Sequence, residues 1–365
     1  MGKYKICVYA IAKNEAKFVN RWVQSIKDAD MIFVLDTGST DNTVQLLKEN
    51  GVNVTVKEIK PWRFDVARNE SLKLVPEDAD ICICLDLDEV MLPGWRKVLE
   101  EKWQKDTNRI FYNYNWNLDE NDNPKVSFYI EKIHARHNYK WTHPVHEILT
   151  YLGDGAENKL VIEDICVNHY PDNTKSRGSY LPLLEMSVDE DPDDDRNMHY
   201  LGREYMYYGR FEDCIRTLKK HLGMKKATWK DERCASMRFI GRSYKNLEKF
   251  DDAITWYEKA IEEAPYLRDS YVELALLYYQ LEKYDKVIEY CDKALEIKDK
   301  AKSYINEIFS WDNTIFDLKS IAYYYLGDID KAIENVDVAI EMNPSDERLI
   351  NNKKFMEDSR KQKDN

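Results

Sequence analysis

The sequence predicts an open α/β domain on a mainly parallel sheet, followed by an all-α solenoid of helix pairs. Short, nearly continuous apolar runs alternate with helical stretches from Lys5 to about Asp88, the signature of β-α-β units. After Arg196 the texture is helical throughout, and one eleven-residue pattern recurs four times there. The change of texture near residue 190 gives domains at 1–190 and 191–365.

In chain order, the strands are expected at Lys5 to Ala12, Met31 to Asp36, Val52 to Glu58 and Asp80 to Asp86. They are read as nearly continuous apolar runs, the pattern of strands covered on both faces. Asp36-Thr37-Gly38-Ser39-Thr40-Asp41 is a turn leading into a capped helix start, and Gly51 stands where that helix should stop. From Phe111 to His169 the chain is rich in aromatics and reads as mixed strand and loop, with no strand order legible. The acidic run Asp189 to Asp195 reads as a solvated boundary whose Pro192 suits a helix start, with a metal site as the minor alternative.

The repeated pattern is YMYYGRFEDCI from Tyr205, YKNLEKFDDAI from Tyr244, YYQLEKYDKVI from Tyr278 and YYYLGDIDKAI from Tyr323. The offsets are 39, 34 and 45 residues. The middle one is the tetratricopeptide period, and the longer two imply loop insertions. Ala253, Ala260 and Pro265 are matched by Ala332, Ala339 and Pro344. Small residues let paired helices approach, and proline closes the second helix. The many tyrosines are accordingly assigned to core packing.

With 54 Lys plus Arg against 67 Asp plus Glu, the formal charge is −13. That disfavours nonspecific nucleic-acid binding and electrostatic attachment to anionic lipid, both of which need basic surfaces. No apolar stretch approaches the roughly 20 residues of a membrane span, and Met1 to Ala12 lacks the core and cleavage site of a signal peptide. A cytoplasmic location is expected, with the seven cysteines reduced and mostly buried.

Ligands of open α/β sheets bind beyond the carboxyl ends of the strands. There the chain places Ala12-Lys13-Asn14-Glu15, Asp36, and Asp86-Leu87-Asp88-Glu89. Two carboxylates one residue apart at a strand end suit a hard cation such as Mg²⁺ or Mn²⁺ that bridges protein to substrate phosphates.

The ordered motifs IAKNE (from Ile11), LDTGSTDNT (from Leu35), WRFDVARNESL (from Trp62), LDLDE (from Leu85) and VHE (from Val145) make residues 4 to about 180 resemble a family 2 glycosyltransferase of GT-A fold. Joined through HYPDNTKSRGSYLPLLE to tetratricopeptide repeats, the chain resembles bacterial and phage enzymes that include the sublancin-type S-glycosyltransferases. The resemblance implies an inverting hexosyltransferase that uses a nucleotide-sugar, with UDP-sugar expected. Ala10, Ala12 and Glu15 would hold the nucleoside, and Asp36 would bond to its base. Arg68 would lie near the donor, Asp86 would contact ribose or sugar, and Asp88 would ligate the metal. His169 resembles the late metal ligand of many GT-A enzymes, the alternative being a strand-end histidine bonded to backbone. Lys175 and Arg177 would clamp the diphosphate or be surface charges on a linker.

The family's usual acceptor-side acidic motif is not visible. His146-Glu147 occupies its stretch, which makes Glu147 the candidate base, with Asp119 or Glu120 behind it; alternatively His146 and Glu147 tie down a loop. The repeats suit a protein or peptide acceptor and a possible homodimer. A lipid-linked or cell-surface polysaccharide acceptor, or a noncatalytic scaffold, are the alternatives.

Overall fold

The computed structural model describes residues 2–174 and 178–363. The chain divides into two compact units, Met1–Glu190 and Asp191–Asn365. The first unit begins β1 (Ile6–Ala12), α1 (Ala16–Ser25), β2 (Met31–Asp36), α2 (Thr43–Glu49), β3 (Asn53–Val56), α3 (Phe64–Leu72), β4 (Ile81–Cys84). It continues β5 (Glu89–Met91), α4 (Trp95–Lys102), β6 (Arg109–Leu118), β7 (Pro124–Ala135), β8 (Tyr139–Thr142), β9 (Ile148–Tyr151), β10 (Lys159–His169) and α5 (Tyr180–Glu190).

The main sheet has the order β3-β2-β1-β4-β7-β6-β10-β5, and β8 pairs with β9 separately. β3, β2, β1 and β4 are mutually parallel, and β10 is parallel to β6. β7 runs antiparallel to both β4 and β6, and β5 antiparallel to β10. Alternate residues of β1 enter opposite cores. Ile6, Val8 and Ala10 pack with Trp22, Ile81 and Ile83, while Cys7 and Tyr9 pack with Cys82, Cys84 and Trp141. Two buried faces explain why this strand shows no polar alternation. β3 departs from the expectation: it is shorter than 52–58, and Asn53, Thr55 and Val56 are exposed because it forms the sheet edge. All seven cysteines are free, and six are buried, with Cys166 half-buried.

The second unit contains α6 (Asp195–Tyr207), α7 (Phe211–Leu222), α8 (Lys230–Asn246), α9 (Phe250–Glu263), α10 (Arg268–Gln280) and α11 (Tyr284–Glu296). α12 (Thr314–Tyr325), α13 (Ile329–Met342) and α14 (Glu347–Lys363) complete it. Each copy of the repeated pattern spans the turn within a pair, from α6/α7 to α12/α13. The longer offsets are absorbed between pairs, before α8 and in the segment before α12. Ala253, Ala260, Ala332 and Ala339 are fully buried where helices cross.

The turn inside each pair needs one left-handed residue four positions after the pattern's first tyrosine. Gly209 (φ 71°) and Gly327 (φ 87°) occupy it in the outer pairs, and Glu248 (φ 58°) and Glu282 (φ 56°) in the inner ones. A side chain in this region costs roughly 1–2 kcal/mol, partly offset by the greater unfolded-state entropy of glycine. Glu248→Gly and Glu282→Gly should therefore each raise stability by about 0.5–1 kcal/mol, read as a higher urea midpoint with an unchanged m-value.

Candidate active site

The carboxyl ends of β1 and β2 are stitched together before any ligand arrives. Thr37 donates to the Ala12 carbonyl from both its N–H (2.8 Å) and its hydroxyl (3.1 Å). Asn14, in a left-handed conformation (φ 55°), accepts from the Thr40 N–H at 2.7 Å and donates its own N–H to Ser39 Oγ at 2.8 Å. The Glu15 N–H donates to Thr43 Oγ1 at 2.7 Å. Asp36 is fully buried, and Oδ1 accepts the N–H groups of Gly38 (3.0 Å) and Ser39 (2.9 Å) while Oδ2 accepts from the Ser39 hydroxyl. In this conformation Asp36 shapes its own loop. Ala10 and Ala12 are buried on β1.

The next strand end carries a buried cluster of charge. Arg68, on α3, donates through both terminal nitrogens to the Asp86 carboxylate, one contact being 2.9 Å. Its Nε reaches Glu147 Oε1 at 2.8 Å, and Nη1 also meets Cys84 Sγ at 3.4 Å. Lys132 Nζ bridges Asp86 Oδ2 (2.9 Å) and Glu89 Oε1 (2.8 Å). Glu89 also accepts from the Tyr114 hydroxyl and from the Asp86 N–H. Burial opposes ionisation of Asp86, but Arg68 and Lys132 overcome it and hold that carboxyl well below its usual range. Glu89 goes the other way, since burial together with Asp86 and Asp88 raises it despite Lys132. Lys132 was missed in the sequence because its place depends on register. β7 pairs antiparallel to β4 with Ile133 opposite Ile83, which brings Lys132 level with the end of β4.

Asp88 and His169 meet through another register. β10 pairs antiparallel to β5 with His169 opposite Glu89, and the Tyr170 N–H donates to the Asp88 carbonyl at 2.8 Å. His169 Nε2 then lies 3.5 Å from Asp88 Oδ2. Nδ1 lies 3.1 Å from the Trp116 carbonyl, and a carbonyl only accepts, so Nδ1 carries the hydrogen. In the neutral ring, Nε2 therefore presents a lone pair toward a carboxylate, an arrangement that calls for a proton or a metal ion. Burial disfavours the imidazolium, but Asp88, the Trp116 carbonyl and Glu89 raise His169 above its ordinary value. An imidazole nitrogen and a carboxylate oxygen converging this way are a donor pair that would suit a divalent cation. Trp116, half exposed, stacks on His169 with ring centres 4.4 Å apart and planes 14° apart.

His146, at a left-handed φ of 50°, presents Glu147 to Arg68. That contact is what a loop tie makes, and it also brings the Glu147 carboxylate to the same guanidinium as Asp86. Asp119 instead organises the β6–β7 turn, accepting from the N–H groups of Asn121 and Asn123. Lys175 and Arg177 lie outside the described residues.

Residues 7–150 match the family described as glycosyl transferase family 2. The N-terminal unit carries a family 2 glycosyl transferase domain. Residues 239–266 and 269–300 match tetratricopeptide repeat families, so helix pairs of the second unit are tetratricopeptide repeats. An uncharacterized glycosyltransferase of Rickettsia typhi is 22% identical over 70% of this chain and 76% of its own length. A second, of Rickettsia bellii, is 35% identical over 23% of this chain, which spans 28% of that relative. Among solved structures, MamA is similar over 49% of this chain and 99% of its own (20% identity, TM-score 0.38). A thermophilic TPR protein of Thermus thermophilus is similar over 49% and 89% (18% identity, TM-score 0.37). Among the described residues no helix is long and apolar enough to cross a membrane.

Lys132→Met should cost about 3 kcal/mol at neutral pH, because it leaves Glu89 buried without its cation. The folded site then tolerates only the protonated acid, so the Glu89 pKa rises further above its unfolded value of about 4.3. The deficit should therefore grow as pH rises through that elevated value. Urea midpoints of wild type and variant at pH 5 and pH 8 check both magnitude and sign.

Proposed function

We propose that this chain is an inverting hexosyltransferase that moves a sugar from a UDP-sugar to a protein or peptide acceptor in the cytoplasm. The observation that carries the reading is the convergence of Asp88 Oδ2 and His169 Nε2 at the donor edge of a family 2 domain. These two residues would hold Mn²⁺ or Mg²⁺, and the imidazole favours Mn²⁺. When bound, the cation supplies positive charge against the leaving diphosphate.

The chain's own groups do the rest. The backbone cradle of Ala10 to Glu15 and the 36–43 loop orient the nucleoside. Arg68 and Lys132 hold Asp86 ionised, ready to accept hydroxyl hydrogens from ribose or sugar. In one displacement the acceptor heteroatom bonds to the anomeric carbon as the bond from that carbon to the diphosphate oxygen breaks. Glu147 takes the acceptor's proton, and no covalent sugar–enzyme bond forms. The family 2 domain and the glycosyltransferase relatives support the reaction class, and the tetratricopeptide repeats support a polypeptide acceptor and a possible homodimer.

Asp88→Ala should abolish metal-dependent release of UDP from UDP-sugar, and excess chelator should do the same to wild type. Full turnover in either case removes the metal assignment. Glu147→Gln should slow transfer by about 10²–10⁴-fold, with donor affinity by calorimetry nearly unchanged. Wild-type turnover in that variant leaves Glu147 as the anchor of its loop and places the base elsewhere.

A further inference from the structure

The second unit holds another cluster of metal-binding side chains, which the glycosyl-transfer reading does not use. Asp195 starts α6, His221 ends α7 and Glu232 lies in the first turn of α8. An up-down-up course brings those three helix ends together, and one donor atom from each residue falls within 4.8 Å of the others. Acids in first turns and a histidine in a last turn are ordinary helix-end choices. Helix-end electrostatics does not account for their burial. His221 is 0% and Glu232 5% exposed, while Asp195 is half-buried and open to solvent.

His221 Nε2 makes no hydrogen bond and stands 3.4 Å from Glu232 Oε1 without the alignment of one. Its Nδ1 is 3.0 Å from Ser236 Oγ, and the same hydroxyl is 2.7 Å from His199 Nδ1. Ser236 has one hydrogen to share between two imidazoles. When it goes to His199, His221 Nδ1–H donates to Ser236 and the bare Nε2 faces two carboxylates. The Tyr304 hydroxyl holds Glu232 Oε2 at 2.7 Å, leaving Oε1 turned to the histidine, and Arg196 lies within electrostatic reach of Glu232.

We propose that Asp195, His221 and Glu232 form a divalent-cation site, of zinc-type preference, that staples the starts of α6 and α8 to the end of α7. One nitrogen and two carboxylate oxygens are a three-ligand zinc set, with a fourth position for water on the Asp195 side. The Ser236 bond orients the ring from behind, as outer partners of metal-bound histidines do. The cation selects the tautomer that leaves Nε2 bare and removes the repulsion between the carboxylates.

The test uses the full-length Asp88→Ala/His169→Ala variant, in which the proposed donor-edge ligands are gone. Zn²⁺ titrated by calorimetry should bind with one equivalent, and free Zn²⁺ at a hundred times Kd should raise Tm by about 5 °C. Adding Asp195→Asn or His221→Gln should weaken binding at least tenfold and remove most of the shift. Asp195 is half-buried at a helix start, so its variant keeps the fold, which far-UV circular dichroism verifies even if His221→Gln disturbs it. Absence of Zn²⁺ uptake in the double variant, or uptake unchanged by Asp195→Asn, overturns the site. Neither outcome bears on the proposed donor chemistry, whose residues lie in the other unit.

Discussion

Glu89 is buried and Asp86, three residues before it, is half-buried, so this edge of the sheet depends on how their charge is neutralised. Arg68 arrives from α3, Lys132 from β7 and the Tyr114 hydroxyl from β6. One electrostatic requirement thus fastens elements distant in sequence to the end of β4. Removing either cation would leave a buried charge uncompensated, which is far costlier than losing a surface ion pair. The cluster also separates the two aspartates of the Asp-Leu-Asp motif. Asp86 is paired with cations from the protein, whereas Asp88 faces His169.

The pairing of β5 with β10 performs the second positioning step. Three residues of β5 run against the end of β10, and that short ladder sets His169 beside Asp88. The Trp116 carbonyl then fixes the ring's hydrogen on the far nitrogen. Backbone hydrogen bonds therefore determine both where the imidazole stands and which nitrogen faces the carboxylate. A half-exposed tryptophan stacked on its face adds rigidity on the side that opens to solvent.

The second unit follows a simpler rule. Its second and fourth pairs bury alanines where helices cross, and each internal turn of a pair carries a left-handed residue. Departures from this regularity occur at the α6–α8 end, where histidines, acids and tyrosines replace apolar packing. Buried polar groups are tolerated only when they satisfy one another. Here they do so only in part, and His221 Nε2 is among the atoms left without a hydrogen bond.

The sequence alone determined the parallel strands, the loops at their carboxyl ends, the Asp-Leu-Asp turn and the repeat period. Each of these is a local pattern of apolar period, turn chemistry or recurrence. It also named Asp88, His169, Arg68 and Glu147, through motifs in a recognisable order. Only the tertiary structure decided the order of the strands from β6 to β10, the exposure of β3 at the sheet edge and the insertion of Lys132 between two acids. It alone also decided that Asp195 meets a histidine and a glutamate. These depend on pairing register and on helices returning to the same end. Such contacts join residues tens of positions apart and leave no periodic trace in the chain.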